Sequence, residues 1–136
     1  MYVGIIRILG NISAGNDAQL ECLLSLNVVD YLHRGLKRNQ KTIRRESCWV
    51  LSNITAGNQQ AIESVLSKQD LVTDLLNIIS SDLPTVSQEA MYVLLNPVEQ
   101  GNPQALVPFY KQIDLIRYLC DTIKQTKDVG QQNVAL

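Results

Sequence analysis

The sequence predicts an all-α solenoid built from repeated three-helix units. Asn11, Asn53 and Asn96 are separated by 42 and 43 residues, and a Gly-Asn pair follows each of them. Between these markers apolar residues recur at helical spacing, as in the segment 71–79, and no run alternates as a half-buried strand does. Self-similarity at a fixed period is typical of a repeat array.

The period and the number of helices indicate the kind of repeat. After each Gly-Asn pair come two apolar segments, a polar turn and a longer third segment. Three helices in about 42 residues fit an armadillo repeat, whereas TPR and ankyrin repeats need only about 34 and 33. We therefore predict a right-handed superhelical armadillo solenoid of about three repeats, incomplete at both ends.

The predicted boundaries follow the Gly-Asn pairs, and the whole chain forms a single array. Its parts are the third helix of a truncated repeat at 1–14, full repeats at 17–56 and 59–97, and a partial repeat at 103–136. Each glycine is expected to end a helix in the left-handed conformation, which costs glycine no steric energy. Pro97 is expected to end or kink the third helix of the second full repeat early.

Both ends of the predicted array carry apolar helices that lack neighbours. Tyr2, Ile5, Ile6 and Leu9 would have too little to pack on, and "LIRYLCDTI" lacks a complete following helix. Exposed apolar patches of that size usually mark an interface. Self-association through the uncapped ends is therefore expected.

Composition argues against several classes of function. Twelve basic and thirteen acidic residues give a net charge of -1, unlike a general nucleic-acid binder. No apolar run approaches the ~20 residues of a membrane span. Cys22, Cys48 and Cys120, with one histidine, form no zinc motif and suggest reduced thiols in a cytosolic or nuclear protein. No catalytic motif is present, so we expect no enzyme, no cofactor and no metal.

A row of polar and aromatic residues repeats on the predicted third helices. Its members step by three and then four residues, which places each row on one helix face, and stacked repeats align such rows side by side. The three rows are Gly4, Arg7 and Asn11; Glu46, Trp49 and Asn53; and Glu89, Tyr92 and Asn96.

The rows have the chemistry of a groove for an extended basic peptide. The indole of Trp49 attracts a cation and packs along the methylene stem of lysine or arginine. Asparagine amides offer a donor and an acceptor to a peptide main chain, and Glu46 and Glu89 would bind the cationic heads. The alternative is a core tryptophan with asparagines that tie adjacent helices together. Repetition of the whole triplet in register favours the binding surface.

The residues also resemble a known family. "RRESCWVLSNITAGNQQAIESVL" resembles the third helix, Gly-Asn turn and following first helix of an importin-α armadillo repeat. "RILGNISAGND" is similar to the importin-α repeat in which arginine replaces tryptophan just before the minor cargo site. The resemblance covers residues 1 to about 96. It implies a nuclear-import adaptor that binds basic nuclear-localisation peptides in a concave groove, in cytoplasm and nucleus.

The resemblance implies partners and site residues as well. The partners would be proteins that carry basic nuclear-localisation peptides. Binding of importin-β gains no support, because the family's basic N-terminal arm is absent. The implied peptide-binding residues are Arg7, Asn11, Glu46, Trp49, Ser52, Asn53, Glu89, Tyr92 and Asn96.

Departures from the family pattern keep a second hypothesis open. Tyr92 stands where the family has tryptophan, Leu95 stands where it has a small or polar residue, and Pro97 follows the asparagine. These departures favour a non-catalytic armadillo scaffold for protein–protein assembly that has lost basic-peptide recognition. Intact Glu46 and Trp49 favour the adaptor.

Six of the twelve basic residues lie in "RGLKRNQKTIRR", between Arg34 and Arg45. We interpret this segment as a solvated turn, with Arg44 and Arg45 on the outer side of the third helix, rather than as a phosphate-binding patch. His33 belongs to no motif with an acidic or cysteine partner, so a surface role is expected.

Overall fold

The computed structural model describes residues 1–100, without the side chain of Gln100, and the isolated positions 107, 117, 120, 121, 123 and 124. The predicted partial repeat at 103–136 and the apolar "LIRYLCDTI" end therefore lie outside the described residues, apart from those positions. Residues 1–100 form helices joined by turns, and this range contains no strand.

Seven helices follow one another in residues 1–100. They are α1 (Tyr2–Ser13), α2 (Asp17–Ser25), α3 (Val28–Leu36), α4 (Lys41–Thr55), α5 (Gln59–Leu66), α6 (Gln69–Ser81) and α7 (Pro84–Gln100). The helices α1, α4 and α7 correspond to the predicted third helices, and α4 packs against α1 and against α7. The described chain is an all-α solenoid in which these three helices lie side by side.

A continuous apolar core joins all seven helices. Its fully buried side chains include Ile6, Leu32, Leu51, Ile54, Ile62, Leu71, Leu75 and Leu94. Burial of one such side chain stabilises a fold by about 1.5–3 kcal/mol, so the core holds neighbouring units together. Among the described helices, none combines the length and the apolar character that a membrane span requires.

The Gly-Asn turns differ from the prediction. Neither Gly15 nor Gly57 has a positive φ, so the expected left-handed conformation is wrong at both, and Gly101 lies outside the described residues. Asn16 and Asn58 instead cap the next helix, and each side chain accepts a hydrogen bond of 2.9 Å from a backbone N–H three residues ahead. Gly57 lies close to Leu20, because a Cβ at this position would lie 2.6 Å from Cδ2 of that side chain, which would have to shift.

Pro97 does not end its helix early, so that part of the prediction was wrong, and the alternative of a kink stays a prediction. It lies inside α7, which continues to Gln100, and Asn96 stays helical. Pro97 has no N–H to donate to the carbonyl of Val93, and only three residues of α7 follow it, so a single i→i−4 hydrogen bond is lost near the helix end. Pro97 is also buried, so its ring gains packing against the fold.

The apolar residues of α1 are better covered than the sequence predicted. Ile6 is fully buried and Leu9 is partly buried. Tyr2 stacks on Tyr31 of α3 with ring centroids 5.4 Å apart. Ile5 remains 43% exposed. Self-association through this end stays a prediction, since Ile8 is also 60% exposed.

Arg44 of α4 and Asp82, which follows α6, form a largely buried ion pair. Nε and Nη2 of Arg44 donate to the carboxylate at 2.8 and 3.0 Å, and the side chains are 18% and 11% exposed. Nη1 donates to the carbonyls of Arg38 and Asn39. Arg44 therefore does not lie on a solvated outer face, because the fold supplies a partner 38 residues away.

We predict that Arg44→Ala lowers the free energy of unfolding by about 3 kcal/mol, because it leaves a buried carboxylate unpaired. The matched control is Lys68→Ala, which removes one cation from the Lys68–Asp30 pair. Those side chains are 40% and 55% exposed, so the loss should stay below about 1 kcal/mol. Urea unfolding followed by circular dichroism measures both variants. Equal losses would contradict the structural role of Arg44.

The same pair gives stability a pH dependence. The hydrogen bond from Arg44 lowers the pKa of Asp82 below its usual 3.8. The pair therefore contributes stability that is fully present above pH ~4 and is lost as pH falls through the folded-state pKa. Asp82→Asn should lose less stability than the wild type between about pH 5 and pH 2.

Candidate peptide-binding site

The helices α1, α4 and α7 bring part of each predicted row to one cavity. We name it the row cavity. It has a volume of about 330 Å³ and is lined by Arg7, Asn11, Arg45, Glu46, Trp49 and Glu89. Five of these six residues were predicted from the sequence. The unexpected one is Arg45, which the sequence placed on the outer side of α4.

The indole of Trp49 lies against the backbone of α1. A Cβ built at Gly10 would have three carbons of the Trp49 ring within 2.9 Å, so the ring occupies the space that only glycine leaves empty. Trp49 is partly buried against the core and also forms a wall of the row cavity. The packing role and the binding role of this residue are therefore compatible.

Glu46 is already paired with two arginines. Its Oε1 accepts from Nε and Nη2 of Arg7 at 3.3 and 3.1 Å and from Nη2 of Arg45 at 3.2 Å. Glu46 is 11% exposed, whereas Arg7 and Arg45 are 57% and 41% exposed. One carboxylate balances one of two guanidinium groups, so this triad carries a formal charge of about +1 at neutral pH.

Glu89 of α7 lies in a different electrostatic environment within the same cavity. Burial raises the pKa of Glu89 above its usual 4.5; Arg45 opposes that shift, and Glu46 adds to it. A carboxylate that is costly to ionise gains from an incoming cation, because the cation favours the charged form. Glu89 is therefore the carboxylate of the row cavity best placed to respond to a lysine or arginine side chain.

The asparagines connect neighbouring third helices. Nδ2 of Asn53 donates to the carbonyl of Gly10 at 3.2 Å, and Nδ2 of Asn96 donates to the carbonyl of Ser52 at 2.9 Å. Each acceptor directly precedes the asparagine of the previous row. The alternative considered from the sequence, asparagines that tie helices together, is thus present. Each amide also has a second N–H and a carbonyl oxygen for another partner.

Four of the predicted site residues do not line the row cavity: Ser52, Asn53, Tyr92 and Asn96. Ser52 is 5% exposed, and its hydroxyl donates to the carbonyl of Trp49 at 2.6 Å. Its side chain therefore lies beneath the surface rather than on it. Tyr92 is 44% exposed, and its hydroxyl accepts from Gln88 at 3.2 Å.

Two contacts were missed because their partners are distant in sequence. His33 lies 2.6 Å from Oδ2 of Asp74, 41 residues away, so it does have an acidic partner. Gly10, on which the indole of Trp49 packs, was not identified from the sequence, although a signal existed. The equivalent positions of the later rows hold Ser52 and Leu95, so glycine stands alone there.

The fold and the row cavity define the class of protein: a helical repeat solenoid with a polar and aromatic surface along its third helices. Two solved structures of engineered proteins from the Northeast Structural Genomics Consortium are similar to it. One has a TM-score of 0.72 and 26% identity, over 88% of this chain and 47% of the other. The second has a TM-score of 0.63 and 22% identity, over 82% and 30%, and supports the fold alone.

Two relatives indicate which group of solenoid proteins the chain is related to. The chain is 38% identical over 68 residues to importin subunit alpha-1a of Oryza sativa subsp. japonica, which covers 49% of this chain and 13% of that protein. It is 28% identical over 102 residues to importin subunit alpha-2 of the same organism, over 71% and 19%. No protein-family model matches the chain. The chain therefore has an importin-α and armadillo-like relationship and spans less than a fifth of either relative.

Gly10→Ala should displace the indole of Trp49 and lower the free energy of unfolding by about 1–3 kcal/mol, because it overfills a packed contact. Gly4→Ala is the matched control on the same helix, since a Cβ there meets nothing within 4 Å. It should raise stability by up to about 1 kcal/mol. Trp49 emission during urea unfolding reports both effects. Unchanged emission and stability in Gly10→Ala would show that the ring does not sit on Gly10.

Proposed function

We propose that the chain is a nuclear-import adaptor-like protein that binds the basic nuclear-localisation peptide of a cargo along α1, α4 and α7. One observation carries the proposal: the indole of Trp49 shares the row cavity with the carboxylates of Glu46 and Glu89. An aromatic face beside carboxylates suits the stem and the charged head of a lysine or arginine side chain. The relationship to importin alpha subunits supports the same function.

The main chain of the peptide would pair with the asparagines. Asn11 is exposed at the row cavity, and the amides of Asn53 and Asn96 each retain capacity beyond the bond that ties the helices. Hydrogen bonds to the peptide main chain would form with any peptide sequence, whereas the row cavity would select the peptide side chain. The proposed function is non-catalytic, needs no cofactor and would operate in cytoplasm and nucleus.

A second candidate function is a scaffold for protein assembly that no longer binds basic peptides. The observation that favours it is the pairing of Glu46 with Arg7 and Arg45, because a peptide cation must compete with both. Tyr92 in place of tryptophan points the same way, since tyrosine is the weaker cation platform.

Titration with a fluorescent Lys/Arg-rich peptide tests the proposal. We expect weak binding, and Trp49→Ala should lower the affinity at least about tenfold, because a stacked aromatic anchor is the typical hot spot of an interface. Trp49→Phe, which keeps a ring, should lose less. Circular dichroism spectra of the variants control for folding.

Glu89→Gln should also weaken peptide binding and flatten its salt dependence, because the salt dependence arises from charge pairs that dissolved ions screen. The matched control is Glu63→Gln, which removes the same charge from an exposed position on α5, outside the row cavity. Equal peptide affinity in wild type and Trp49→Ala would reject the adaptor and leave the scaffold.

A further inference from the structure

The row cavity contains more than a basic peptide requires. Carboxylates and an aromatic ring suffice for lysine, yet Arg7 and Arg45 also line the cavity and are 57% and 41% exposed. Both donate to one oxygen, Oε1 of Glu46. Neither guanidinium group is buried, so each retains donors that can bind an incoming acceptor.

The charges of the cavity are ordered across the three helices. Arg7 lies on α1, the Glu46–Arg45 pair lies on α4, and Glu89 lies on α7. The side towards α1 therefore carries a cation, and the side towards α7 carries a carboxylate. An extended peptide that crosses from α1 to α7 passes a cation before it reaches that carboxylate.

We infer that the row cavity selects a peptide of mixed charge, in which an acidic residue pairs with Arg7 and a basic residue pairs with Glu89 beside Trp49. Arg7 is then the residue that determines specificity. The inference deepens the proposed function and rests on it, because the basic residue must be bound for the acidic one to be positioned.

Binding of a mixed-charge peptide is favourable because Arg7 can exchange Glu46 for a carboxylate of the peptide. When a peptide carboxylate takes Arg7, Glu46 keeps Arg45 at 3.2 Å, so no carboxylate is left unpaired. A purely basic peptide brings a third cation next to Arg7 and Arg45, and like charges repel. Ion pairs at this exposure are worth about 0.2–1 kcal/mol, which corresponds to an affinity change of up to about fivefold.

The spacing of the two peptide residues follows from helix packing. Neighbouring helix axes lie about 8–10 Å apart, and an extended chain rises about 3.3 Å per residue. Arg7 on α1 and Glu89 on α7 are two such spacings apart, because α4 lies between their helices, so about five to six residues of extended chain join them. The acidic residue should stand about five residues from the basic one.

Three labelled peptides test the inference on the full chain. One contains a single basic cluster and no acid, and the other two place one aspartate about five residues before or after that cluster, with identical composition and net charge. The wild type should bind one aspartate isomer about two- to fivefold more tightly than the other. Arg7→Gln should abolish that difference and should bind the purely basic peptide more tightly than the wild type does.

The matched control is Arg34→Gln, which removes the same charge from an exposed position on α3, outside the row cavity. It should keep the preference of the wild type. Equal binding of the two isomers to the wild type, with binding that still depends on Trp49, overturns this inference and leaves the proposed function intact. A preference that persists in Arg7→Gln overturns it too. Failure of all three peptides to bind overturns both.

Discussion

The packing of α4 between α1 and α7 is the constraint on which the candidate site depends. Two asparagine bonds cross these contacts, from Asn53 to the carbonyl of Gly10 and from Asn96 to the carbonyl of Ser52. Each joins a side chain of one third helix to the backbone of the preceding one, so the bonds add two polar links to the packing that the apolar core provides. The row cavity exists only where side chains from all three helices meet.

Residues of the site therefore serve the fold and the surface together. Trp49 packs on Gly10 and also lines the row cavity, and Glu46 joins α1 to α4 through Arg7. A substitution at such a position changes both stability and binding. To separate the effect on stability from the effect on binding, each variant needs a matched control. A second glycine on the same helix, or a charged residue outside the row cavity, provides one.

Much of the fold followed from the sequence, because the repeat period and the helical spacing are local patterns. The rows on the third helices were visible for the same reason, and they supplied five of the six residues of the row cavity. Contacts between units could not be predicted in this way. The partner of Arg44 lies 38 residues away and that of His33 lies 41 residues away, so only the stacked fold reveals them. The predicted early end of the helix at Pro97 was wrong because the energetic cost of a proline depends on its position within a helix. The sequence did not define where α7 ends.

The most direct test of the central claim, that the row cavity binds a basic peptide, uses the single tryptophan. Trp49 is the only tryptophan in the sequence, so a ¹⁵N-labelled chain has one indole N–H resonance. Titration with an unlabelled Lys/Arg-rich peptide should shift that resonance in a saturable way, and Glu89→Gln should move the midpoint to higher peptide concentration. An indole resonance that stays in place while the peptide saturates its binding would place the peptide elsewhere and contradict the account.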